Sequence, residues 1–472
     1  MSRVLLGLIA LVVIVFLSAI NWRRSVAIVF LLVITEGALR KWFLPQFSDL
    51  LYFLKDLVLL GAYLRFFVVS KQMPKLSFPS YYIKFFLLLS VGWCVFQAFN
   101  PSLGSPIVGI FGLRGYLFYV PLMWLIPNLF ETEDDLYRAL RWYLLLAIPV
   151  CILGIVQFYS PASSPLNIYA GGIDPTAGFS GTGRLRITGT FPYISGYAIY
   201  LGVCFAVLVP LLLRPQPRLW TWTGIATMAL VVANSLMTGS RGIILFEGLY
   251  LLGFIFLLML RKPFKMQAYL RRFTLPIFIS TIVLVYWLRP AFDAFASRST
   301  GASDNLADRV AKSFTLLPYF QFKGMDGFGV GATHQAISTL RSTLGLPSGE
   351  TIPIGFESEI GRIALELGPI GWIFWYGLRL IVLWALFKTF WKLRTPFLQH
   401  LALAAFLTHA LHFTGQLVVH NVFSIYYWSL AGFIFLLPRL DQPVGTANVF
   451  YHPSLFFSGQ ATDADFSHPG NR

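Results

Sequence analysis

The sequence predicts an all-α, polytopic membrane protein. Three observations carry that prediction. Of the 472 residues, 57% are hydrophobic, only 12% are charged, and long apolar runs recur along almost the whole chain. Mean hydropathy is +0.69. A soluble domain carries about 25% charged residues, and a helix needs about 20 apolar residues to cross the hydrocarbon core. A soluble fold would have to bury most of these runs in a single core.

The formal net charge is +16. The basic residues mostly cap apolar runs rather than form a soluble patch. This fits membrane orientation and contact with membrane lipids, and no nucleic-acid partner is expected. Cys94, Cys151 and Cys204 all lie within apolar runs, so neither disulfides nor a cysteine metal site is indicated.

The elements follow in order. Runs 4–20 and 25–38 are separated by Asn21-Trp-Arg-Arg24. No small-residue cleavage site follows the first run, so it reads as a retained helix rather than a signal peptide. Run 50–69 ends at a basic segment, 71–75. Runs 82–99, 107–130 and 136–159 come next, with the charged segment 131–141 between the last two. Then come 194–213, 219–237 and 242–260, divided by Arg214-Pro-Gln-Pro-Arg218 and Thr238-Gly-Ser-Arg-Gly242. Runs 274–288, 356–387, 397–411 and 422–437 complete the set, giving twelve to thirteen transmembrane helices. They form one membrane domain, 1–440, which includes a long loop at 289–355. A polar, flexible tail, 441–472, follows.

Orientation follows from the most basic short loops. Segments 261–272 and 388–394 are strongly cationic and are assigned to the cytoplasm. Counting back, 214–218, 131–141, 71–75 and 21–24 fall on the same side. The 289–355 loop, 160–192 and the turn 238–242 then face outward.

Ionisable residues inside spans are costly and count as functional candidates. Lys55 and Asp56 have a plain reading as a mutual structural pair. Arg114, Arg184, Arg186, Arg241 and Arg309 come from four parts of the chain, and all lie at or near the outer face. Arginine gives bidentate contact with phosphate, and Arg241 opens a helix whose free N–H groups favour an anion. Converging arginines would suit a lipid-linked pyrophosphate. The plain alternative is separate contact with lipid headgroups.

The 289–355 loop exceeds the roughly 15 residues beyond which a loop is usually functional or disordered. It holds Arg309, Gly327-Phe-Gly-Val-Gly331 and His334. It runs into a charged helix start, where Glu359, Arg362 and Glu366 are spaced i, i+3, i+7 and share one face. Such charges belong in a bundle interior or a water-filled cavity. There a carboxylate could act as a base, or the three could form an internal Glu–Arg–Glu bridge. No His-Glu-x-x-His, P-loop or dinucleotide fingerprint is present, so no metal or cofactor is expected.

Four local motifs resemble the O-antigen ligase and O-antigen polymerase superfamily of membrane glycosyltransferases. They are Arg186-Ile-Thr-Gly-Thr-Phe191, Thr238-Gly-Ser-Arg-Gly242, Gly327-Phe-Gly-Val-Gly331 and Glu366-Leu-Gly-Pro-Ile-Gly371. Their order and spacing match over roughly 180–372. The resemblance implies metal-independent, inverting transfer of a glycan from a polyprenyl-pyrophosphate carrier to an acceptor hydroxyl, at the outer face of a bacterial inner membrane. Carried over, Arg186 and Arg241 would contact the pyrophosphate, and the outward Arg114 and Arg309 join them as candidates. Arg184, His334, Arg362 and Glu366 would support the site. One departure matters: the ligases have a His-Asn pair where this chain has Glu357-Ser358. Glu357 and Glu359 are therefore the candidates for acceptor activation, with His334 as another, unless this branch uses no side-chain base. The departure favours a polymerase-like branch, working with other polysaccharide-assembly proteins, over a ligase. A transporter of a small anion or sugar acid and a scaffolding component of an export complex are the competing readings.

Overall fold

The computed structural model describes residues 2–70, 81–171, 176–179, 184–261, 289–290, 293, 317–355 and 358–442. The predicted span 274–288, most of the early part of the long loop with Arg309, the position Glu357 and nearly all of the tail lie outside the described residues.

The fold is all-α. Among the described residues eight helices are long and apolar enough to cross a membrane: Tyr81–Ala98, Pro106–Asn128, Glu133–Tyr159, Ile194–Leu213, Arg218–Met237, Arg241–Arg261, Glu359–Lys392 and Asn421–Leu440. Two shorter apolar helices, Ile9–Ile20 and Pro396–Leu411, add to them. Run 25–38 is the helix Trp22–Ala38, started by Asn21, whose side chain accepts from the Arg24 N–H at 3.2 Å. Run 50–69 is not one helix. It is built from Ser48–Tyr52, Leu54–Tyr63 and a π-helical end, Leu64–Val69. Local caps set several starts: a Thr132/Asp135 capping box opens Glu133–Leu145, and Ser358 accepts from the Gly361 N–H at 3.1 Å.

Ile194–Leu213 and Asn421–Leu440 bury 83% of their apolar windows, against 28–44% for the other six long helices. These two occupy the middle, and the rest surround them with one face free for lipid.

The loops sort onto two faces. On one, Arg23 pairs with Glu131 at 3.5 Å, and Arg214 with Asp134 at 2.7 Å and Glu133 at 3.3 Å. Arg261 donates to the Leu393 carbonyl at 2.7 Å, and the Arg394 and Thr395 N–H groups donate to Asp441 at 2.8 Å. These are the segments the basic-loop argument places together on one side of the membrane.

The late helix departs from expectation. Glu359 and Arg379 are twenty positions apart, about 30 Å along a straight helix. Their side chains nevertheless approach to 3.9 Å. The chain therefore folds back, and it does so at Gly368, with φ 66° and ψ −176°. Residues 359–367 form a half-helix against the span that begins at Pro369. The break frees carbonyls that a membrane interior cannot hydrate. The Phe328 N–H donates to the Leu365 carbonyl at 2.7 Å, and the Gly329 N–H donates to the Glu366 carbonyl at 3.0 Å. Trp93 Nε1 donates to the Leu367 carbonyl at 2.8 Å. The approach is so close that a Cβ on Gly327 would lie 2.6 Å from the Gly368 nitrogen, and one on Gly368 would lie 2.3 Å from the Met325 carbonyl.

Gly368→Ala should therefore destabilise the protein by about 3 kcal/mol, since this backbone region is essentially restricted to glycine. Thermal unfolding of the purified variant beside the parent checks this. An unchanged midpoint would mean that the fold-back tolerates a side chain.

Candidate functional site

The face opposite the cationic loops carries the polar machinery. In the first motif, Arg186 Nε donates to the Thr238 carbonyl at 2.7 Å, and the Ile187 N–H donates to the Met237 carbonyl at 3.3 Å. The arginine motif is thus docked on the Thr-Gly-Ser-Arg-Gly turn, three residues before Arg241. Arg184 lies on the same loop. Its guanidinium sits over the Phe158 and Tyr159 rings at 4.9 and 5.0 Å. Phe191 closes the motif, stacked on Tyr197 and tilted against Tyr200.

Two side chains that sequence reasoning missed grip the centre of this loop. Gln157 accepts from the Gly189 N–H at 2.8 Å and donates to the Gly189 carbonyl at 3.1 Å. Lys41 Nζ donates to Thr188 Oγ1 at 2.9 Å and to the Gly189 carbonyl at 2.7 Å. Burial pushes the Lys41 amine down to about 7. Its only sequence signal is a basic pair, Arg40-Lys41, at the end of an apolar run.

Next to Lys41 lies a ladder of buried charges. Arg40 pairs with Glu36 at 3.1 Å, and Lys55 takes the other Glu36 oxygen. Arg114 Nε donates to Asp56 at 2.7 Å, and the Tyr119 hydroxyl donates to the second Asp56 oxygen. Arg40, Lys55 and Arg114 all approach the Tyr52 ring, at 5.3, 5.0 and 4.7 Å. The expected Lys55–Asp56 pair does not form. Consecutive residues on a helix point in different directions, so each finds a separate partner. Arg114 likewise does not snorkel; its charge is balanced inside the bundle.

The half-helix brings together the other candidates. Glu366 accepts from the Thr333 N–H at 2.9 Å and the Thr333 hydroxyl at 2.7 Å, and from the Tyr116 hydroxyl at 2.8 Å. Arg362 donates to the Thr333 carbonyl at 2.8 Å. Among the described residues there is no direct Glu–Arg–Glu bridge, because Thr333 stands between Arg362 and Glu366. Glu359 turns elsewhere. It accepts from the Leu417 and Val418 N–H groups, both at 2.9 Å, and faces Arg379. Its Oε2 has no partner among the described residues. Arg379, also missed, is 1% exposed; it donates to the His412 carbonyl at 2.8 Å.

His334 packs edge-on against Phe111 at 4.9 Å, and its Nδ1 accepts from the Ala336 N–H at 3.1 Å. Burial, with Arg114 and Arg362 nearby, pushes the imidazole down to about 4. It is neutral at pH 7 and a weak base.

The structure thus gathers Arg114, His334, Arg362, Glu366 and Glu359 on one side of this face, and Arg184, Arg186 and Arg241 on the other. The charge ladder and Lys41 join the two. Arg309 and Glu357 lie outside the described residues. Among the described residues, no group of three His, Cys, Asp or Glu side chains is arranged to hold a metal.

Removing one member of a buried ion pair leaves an uncompensated charge, which costs about 3–5 kcal/mol. Arg379→Met should destabilise by that order, and adding Glu359→Gln should restore part of the loss. A double-mutant cycle on unfolding free energy reads the coupling; strict additivity would show that the pair contributes nothing.

His334 supplies a pH dependence. Its folded-state value lies below the unfolded 6.5, so its contribution is complete above about pH 6.5 and is lost as pH falls towards 4. At pH 5 the loss is about 2 kcal/mol. Unfolding at pH 7.5 and 5.0 should show a larger acid penalty in the parent than in His334→Leu. Equal penalties would assign the acid sensitivity to other groups.

No protein-family model matches the chain, and no curated protein matches it.

Proposed function

We propose that this protein transfers a glycan from a polyprenyl-pyrophosphate carrier to a sugar hydroxyl, polymerising repeat units of an O-antigen or exopolysaccharide at the outer face of a bacterial inner membrane. One observation supports this reading most. The four motifs behind the family resemblance, scattered over 186–371, share one face: the first two interlock through Arg186 and Thr238, and the last two through Gly329 and Glu366.

In this reading Arg186 and Arg241 hold the pyrophosphate, and Arg309 is assigned the same role. The acceptor oxygen attacks the anomeric carbon as the bond to the phosphate oxygen breaks, inverting the configuration. The hydroxyl proton passes to a carboxylate, Glu357 or the free Oε2 of Glu359, and polyprenyl pyrophosphate leaves with the electron pair. Charge-assisted contacts to the departing phosphate supply the electrostatic stabilisation. Ligation to a lipid acceptor uses the same chemistry.

The broken helix favours a second reading. Half-helices with buried charges also build the binding sites of secondary transporters, here for a small anion or sugar acid.

The test is Arg186→Ala and Arg241→Ala in a host that makes a lipid-linked repeat, with surface expression verified. Each should shorten the polymer to one or a few repeats, a loss of at least tenfold in long chains. Full-length polymer from both variants would remove the glycan-transfer reading. Uptake of labelled sugar acid by proteoliposomes would establish the second.

A further inference from the structure

The cationic face holds a second site, independent of the glycan reading. A narrow, open crevice lies between the helices Glu133–Leu145, Ile194–Leu213 and Arg218–Met237. Its lining is graded. Arg141, Gln216 and Trp220 stand at the end nearest the charged loops. Leu208, Leu212 and Thr227 complete the lining, with Leu208 one helical turn further from the charged loop than Leu212.

Arg141 is the unusual member. Its guanidinium lies 3.7 Å from the centre of the Trp220 ring. Its neighbours are neutralised: Arg138 pairs with Asp135 at 2.7 Å, and Arg214 pairs with Glu133 and Asp134. Arg141 makes no ion pair among the described residues, and its buried Nε has no hydrogen-bond partner there. An arginine stacked on an indole, charged and unbalanced at the mouth of an apolar slot, calls for an anion attached to a hydrocarbon chain. Trp142 and Trp222 beside it are 61% and 56% exposed. Exposed tryptophans of this kind sit at headgroup level, which puts the mouth at the depth of a lipid phosphate.

We infer that this crevice binds one anionic phospholipid from the leaflet on the cationic face. The phosphate lies against Arg141 and Gln216, and one acyl chain runs along Leu212 and Leu208. Gly224 lets Leu212 pack closely across the slot: a Cβ there would meet Leu212 Cδ2 at 2.8 Å, so a bulky residue at 224 would fill this part of the lining. No covalent step is involved.

The experiment uses the full-length protein in nanodiscs of equal phosphatidylglycerol and phosphatidylcholine, with retained lipid identified by native mass spectrometry. The parent should carry phosphatidylglycerol in preference. Arg141→Met should lower that preference about fivefold, the contribution of one cation near an anionic surface. Gly224→Leu, which fills the slot and leaves the charge, should lower it at least as much; Thr227→Leu serves if that variant aggregates. Arg138→Met should leave it unchanged. The proposal is overturned if the parent shows no preference, if Arg138→Met loses as much as Arg141→Met, or if the slot-filling variants still retain the lipid. Full displacement by millimolar inorganic phosphate would assign the site to a free anion instead.

Discussion

The structure depends on the treatment of three backbone carbonyls. Where the late helix folds back at Gly368, Leu365, Glu366 and Leu367 lose their helical partners in a region without water. An unsatisfied buried carbonyl costs about 1–3 kcal/mol. The 327–331 loop and Trp93 supply the missing donors. That exchange fixes where the long loop returns to the bundle and where Thr333 sits. It also fixes the face of the half-helix that carries Arg362 and Glu366. The loop and the break are one unit.

The charges near this unit follow one rule. Glu36, Asp56 and Glu359 are each matched by at least one cation or by backbone N–H groups, usually from a distant part of the sequence. Such pairs add little net stability, because desolvation offsets attraction. They do make each partner intolerant of being left alone, and so they specify which helices must neighbour one another.

Much of the fold was legible in the sequence. Apolar runs gave the helices, and the alternation of basic loops gave the two faces, because length and charge are local properties. The break at Gly368 was not legible. Gly368-Pro369 reads equally well as a kink within one span, and only the contact of Glu359 with Arg379 distinguishes a fold-back. The candidate site was legible in part. Arg186, Arg241, Arg362 and Glu366 stand in short motifs. Arg379 and Gln157 carry no local pattern and Lys41 only a basic pair at the end of an apolar run, and what makes them matter is a partner far along the chain. Pairing Lys55 with Asp56 failed for the same reason: adjacency in sequence is not adjacency in space.

The hydrogen bond from Lys41 to Thr188 spans 147 positions. Its consequence lies in biosynthesis. At about 5–20 residues per second, Thr188 emerges roughly 7–30 s after Lys41. Glu36, Arg40 and Lys55 can neutralise one another soon after synthesis, whereas Lys41 must wait beside the insertion machinery with its amine unmatched. The N-terminal helices would then form a nascent unit, completed only when the middle of the chain is threaded.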